Sequence, residues 1–159
     1  MTHKEAIEKN GHIIVSPISG SMRPLIREHL DFGYFESVEK RPAKIGDVVL
    51  YPGHGAFEGS NIMHRIIGKD GDCYIIRGDN ARTYEFVPQK EIFGVMTGYL
   101  KDGDNKMRSC RSFSYVLRSF WTVVSRKAVF LYRNSSSPIF RAARFVRRKI
   151  SKITMGAYL

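Results

Sequence analysis

"IIGKDGDCYII", residues 66–76, decides the fold. Two short runs rich in Ile and Tyr flank Asp70-Gly71, and Asp-Gly between such runs marks a tight β-hairpin. Outward from this hairpin the same grammar repeats. Candidate strands cover residues 12–16, 32–38, 47–51, 61–67, 73–77 and 91–99, each rich in Ile, Val, Phe or Tyr. Gly46-Asp47, Pro52-Gly53 and Gly78-Asp79-Asn80 punctuate them. No ten-residue helical pattern interrupts the region, so a mainly β domain of coiled antiparallel sheets is expected. One short helix, residues 2–10, precedes the strands and ends at Asn10-Gly11.

The chain has 159 residues, the size of one domain with its own core. Its net charge of +11 is unevenly spread. Residues 1–105 hold all 15 acidic residues and 13 of the 26 Lys and Arg, a balance of −2, whereas residues 106–159 hold the other 13 and no acid. The expected organisation is therefore a near-neutral domain, 1–105, and a basic tail, 106–159. Such asymmetry points to an anionic partner for the tail, lipid or nucleic acid.

Helical spacing in the tail aligns Arg108, Arg111, Arg118, Arg126 and Arg133 along one stripe. Phe113, Val116, Leu117, Phe120, Trp121, Val124 and Leu131 gather on the opposite arc, interrupted by Lys127. After a loop at 134–138, a second basic helix places Ile139, Ala142, Ala143, Val146, Ile150 and Ile153 on one face. Basic amphipathic helices with Trp and no acids suit an anionic membrane surface, so peripheral membrane association is expected. The plainer alternative packs the first helix on the domain and leaves its arginines solvated. Nucleic acid is not the expected partner, since no nucleic-acid-binding motif accompanies the charge.

The N-terminus has no apolar run of signal-peptide length, and no stretch of 18 uncharged apolar residues forms a simple transmembrane span. Cys73 and Cys110 make no disulfide framework, and nothing has metal-ligand spacing; neither metal nor cofactor is expected.

"ISGSMRPL", residues 18–25, fits neither helix nor strand, because Gly20 and Pro24 oppose both. It presents the hydroxyls of Ser19 and Ser21 on a turn anchored by Met22. A serine becomes a nucleophile only when a base takes its proton. Of the five histidines, His64 stands out as a polar residue inside an apolar strand, "NIMHRII", with Arg65 on the other face. "RGDNARTYE", residues 77–85, supplies two acids, Asp79 and Glu85, either of which could orient a histidine. Each element alone has an ordinary structural account: a polar loop, a half-exposed strand histidine, a turn.

In order, "SGSMRP", "IGDVVLY", "MHRII", "RGDN" and "EIFG" resemble the five boxes of the type I signal peptidase family over about residues 13–100. The resemblance is to the serine–histidine branch of the endoplasmic reticulum and some Gram-positive bacteria. It implies that Ser21 is the nucleophile and His64 the general base. Ser19 would join the Ser21 backbone N–H in the oxyanion hole. Glu85 occupies the position of the branch's orienting aspartate, and Asp79 is the other choice. The resemblance further implies a serine endopeptidase that removes a leader or signal segment without a cofactor. Its substrate would bind as an extended strand near residues 13–19, with small residues before the scissile bond. The chain departs from the family in having only a short segment where a transmembrane anchor normally precedes the serine box. Two other classes stay open. One is an autopeptidase related to SOS-response repressors, which use lysine where this chain has His64-Arg65. The other is a non-catalytic binding module on the same fold.

Overall fold

Thr2 opens the first helix with a capping box. Its hydroxyl accepts from the Glu5 N–H at 3.2 Å while its own N–H donates to the Glu5 carboxylate at 2.9 Å. This helix, α1 (His3–Asn10), stops at Gly11, whose φ of 75° is the left-handed conformation glycine accepts without strain. The computed structural model describes residues 2–134. The expected second basic helix lies outside the described residues.

Strands β1 (His12–Val15), β2 (Phe32–Ser37), β3 (Val48–Pro52), β4 (Asn61–Asp70), β5 (Cys73–Arg77), β6 (Glu85–Pro88), β7 (Gly94–Leu100) and β8 (Arg108–Ser109) follow. The architecture is mainly β. Instead of several sheets it is one eight-stranded antiparallel sheet, ordered β1-β2-β7-β3-β4-β5-β6, with β8 on β7. The hairpin at Asp70-Gly71 joins β4 to β5, with Gly71 at φ 54°. β6 and β8 are additional to the expected strands: β6 ends on Pro88, a residue that argues against a strand, and β8 has only two residues.

β3 explains why "VVLY" reads as a continuous apolar run. Val48 and Leu50 enter one core with Ile7, Met22 and Phe35, while Val49 and Tyr51 enter a second with Ile66 and Ile76. A strand buried on both faces loses its alternation.

A polar clip closes the loop that follows the serine stretch. Asp31 is fully buried and accepts from the Arg27 backbone at 2.7 Å, the Arg27 guanidinium at 2.8 Å, Lys101 Nζ at 2.8 Å and the Asp102 N–H at 3.0 Å. Burial pushes its carboxyl upward, but these donors together hold it well below the usual carboxylate range. A depressed folded-state pKa contributes stability above the unfolded value, lost as pH falls through the folded one. Asp31→Asn is therefore expected to cost about 2 kcal/mol at pH 7. It should also flatten the fall in stability below about pH 4. Denaturant melts at pH 7 and pH 3 check both, and an unchanged pH dependence would refute the assignment.

The chain divides into a unit ending at Val124 and another starting at Ser125. The first unit thus runs past the boundary expected at residue 105, carrying β8 and the first half of α2 (Phe113–Asn134). The helix begins later than the arginine spacing suggests. Arg108 lies in β8, and Arg111 precedes the first helical turn. Within the first unit α2 packs through Tyr115 and Ser119, both buried, while Phe113, Val116, Leu117, Phe120, Trp121 and Val124 are exposed. The plainer sequence alternative has this form: the first half of the helix docks on the domain, through Tyr115 and Ser119, and Arg118 is exposed. Among the described residues, no helix is long and apolar enough to cross a membrane.

Candidate active site

Register builds the first half of the site. β3 and β4 pair Val49 with His64 and Leu50 with Met63, which puts His64 on the second-core face and Met63 on the first. On β5 and β6, Ile76 faces both Ile66 and Glu85. Tyr51, His64 and Glu85 consequently emerge together. His64 Nδ1 lies 2.7 Å from Glu85 Oε1 and 3.1 Å from Tyr51 Oη.

The protonation of this trio follows from its surroundings. Burial pushes Glu85 upward, yet hydrogen bonds from His64 and then Tyr51 bring its carboxyl below the ordinary value, so it is ionised at neutral pH. Burial, together with the Glu85 charge, raises the Tyr51 phenol, which keeps its proton. An ionised carboxylate can only accept, so Nδ1 carries a proton, and in the neutral form of the imidazole the lone pair belongs to Nε2.

The serine turn comes to this same place. Gly20–Met22 form one 3₁₀ turn, with Met22 fully buried beneath it. Asn80 clamps the turn: its N–H donates to the Ser21 carbonyl at 2.7 Å and its side-chain amide to the Gly20 carbonyl at 3.2 Å. Gly78 is the residue between. A Cβ there would sit 2.7 Å from the Ser21 carbonyl oxygen and 2.9 Å from His64 Nε2, closer than any side chain tolerates. The Ser21 backbone and the lone-pair nitrogen of His64 thus flank one glycine. Ser21 Oγ accepts a hydrogen bond from Ser19 Oγ at 3.3 Å, so the two hydroxyls around Gly20 adjoin each other.

Comparison with models of known protein families and with curated proteins finds no match.

The two candidate acids separate cleanly. Glu85 meets His64, whereas Asp79 turns to Arg65, which grips it at 2.7 Å through Nε and at 2.7 Å through Nη2. Arg65 is fully buried, and its Nη1 donates to the Gly46 carbonyl at 2.7 Å and Ser119 Oγ at 2.8 Å. Burial alone would lower the guanidinium's pKa, but Asp79 holds it above its ordinary value. Asp79 is thus placed behind the site in a charged brace, and of the two acids it is Glu85 that stands beside His64. Three residues escaped sequence reasoning. Tyr51 was hidden in a core-like run, while Gly78 and Asn80 looked like turn residues. Their signal is the box "RGDN" itself, whose glycine gives close approach, whose aspartate meets Arg65 and whose asparagine clamps the serine turn. Among the described residues, no group of three His, Cys, Asp or Glu side chains could hold a metal ion.

Proposed function

We propose that the chain is a serine endopeptidase of signal-peptidase type, cutting a leader or signal segment from a peptide or protein. One observation carries this: His64, tied through Nδ1 to Glu85, presents Nε2 across Gly78 from the Ser21 turn. Ser21 Oγ attacks the scissile carbonyl carbon and its proton passes to His64 Nε2. Hydrogen bonds of this kind are often unformed before substrate binds and tighten in the complex. Ser19 Oγ and the Ser21 N–H stabilise the oxyanion. Collapse breaks the C–N bond, His64 gives its proton to the leaving amine, and an acyl-Ser21 ester remains. Water then attacks that ester as His64 takes its proton, and the returning proton restores the Ser21 hydroxyl. Glu85 stabilises the imidazolium in both steps.

The edge strand supports the substrate class. β1 ends the sheet order and runs through Pro17 and the 78 % exposed Ile18 into the serine turn, so an extended peptide added along it meets Ser21. The Ser21–His64–Glu85 constellation favours peptidase over binding module. A fluorophosphonate probe should label the wild-type chain and leave Ser21→Ala unlabelled. Equal labelling of the two would remove Ser21 as nucleophile.

A further inference from the structure

Residues 113–124 of α2 meet the β-domain along one narrow face. Ser119 Oγ donates to the Gly46 carbonyl at 2.7 Å and accepts from Arg65 at 2.8 Å, and the Tyr115 ring lies with its centroid 5.6 Å from the Arg65 guanidinium carbon. At about 100° per residue, Phe113, Leu117, Trp121 and Val124 fall on the arc away from that face, and Val116 and Phe120 border it. All six are exposed, Phe113 at 82 % and Trp121 at 62 %. Six large apolar side chains on one solvent-facing ridge are more than the fold requires, and contiguous patches of this kind mark interaction surfaces.

We propose that this ridge is an interfacial anchor that seats in the surface of an anionic lipid bilayer. Charge selects the occupant first. No acidic residue follows Asp104 in the chain, whereas thirteen Lys and Arg do. Beside the ridge, a groove of about 460 Å³ is lined by Ile45, Val116 and Phe120 together with Arg41 and Arg111. Asp47 also lines it and pairs with Arg41 at 2.9 Å. Apolar side chains beside arginines suit acyl chains beneath phosphate headgroups. Shape selects it second. The six side chains run along about three turns of helix, a continuous apolar strip around which a fluid acyl boundary closes. This inference is independent of the peptidase reading.

Trp121 is the only tryptophan in the chain and stands on the ridge, so its emission tests the proposal directly. The full chain is titrated with unilamellar vesicles of phosphatidylglycerol and phosphatidylcholine, and separately with phosphatidylcholine alone. Anionic vesicles should shift the emission to shorter wavelength, and acyl-brominated lipid should quench it. The Leu117→Glu/Phe120→Glu variant, its folding checked by circular dichroism, should need at least about tenfold more lipid for half the effect, since each change strips one buried apolar side chain from the bound state. Co-sedimentation without shift or quenching would overturn the proposal, because the basic tail would then bind without the ridge. Equal partitioning of the variant, equal binding to neutral vesicles, or no binding at all would also overturn it. So would a concentration-dependent blue shift without lipid, which would place a second copy of the chain on the ridge.

Discussion

Alanine at Ser21 or at His64 is expected to lower kcat/KM for a leader-type peptide by about 10⁴-fold or more, and the double replacement should fall no further than the worse single one. Nucleophile and base act as one device, so removing either disables both. Glu85→Gln should fall between, at about 10²- to 10⁴-fold. Its amide can donate to Nδ1, which would draw the imidazole proton to Nε2 and abolish the lone pair that faces Ser21. The measurement is single-substrate kinetics on a peptide with a small residue before the scissile bond. Effects of Ser21→Ala and His64→Ala that multiply, or activity surviving Ser21→Ala, would refute the mechanism. Acid should also erode the rate. Glu85 stays ionised to below the ordinary carboxylate range, so its own contribution is lost only as pH falls through that depressed value.

Asp79→Ala should act on folding instead, costing about 3–5 kcal/mol, because it leaves the Arg65 charge buried without its carboxylate. Arg65 is 0 % exposed and directly opposite Arg77 on β5, so like charges face each other once the brace is lost. Arg77 itself is satisfied elsewhere, through the Ala81 carbonyl at 2.8 Å and Tyr84 Oη at 2.6 Å. The pair Arg65→Met/Asp79→Leu should be better tolerated than either single change, since it removes both charges together. Urea unfolding of the three variants decides. An Asp79→Ala midpoint equal to wild type would show that the brace contributes nothing.

Much of the sheet was legible because turn chemistry and β-rich runs agree. Asp70-Gly71 marked its hairpin, and the alternation of "NIMHRII" put His64 and Arg65 on opposite faces, as the cores require. Helix α1 was legible through Asn10-Gly11. Choosing between Asp79 and Glu85 was not possible from pattern. Glu85 reaches His64 only because β6 returns alongside β5, a pairing between strands that local pattern does not encode. Tyr51 was invisible for a different reason: its hydroxyl ends a ring that otherwise belongs to the second core. The docking face of α2 was equally hidden. Hydrophobic spacing describes which residues could be buried together, but this helix answers the needs of a guanidinium 54 positions earlier in the chain.

That last contact bears on how the protein can be divided. Composition invites a cut at residue 105, where acidic residues cease. Such a fragment would forfeit the hydroxyl groups of Tyr115 and Ser119 and bare the flank of β3 and β4 immediately behind the histidine. Residues 106–124 belong with the acid-rich part in one unit, so the cationic third of the chain begins as masonry of the β-domain.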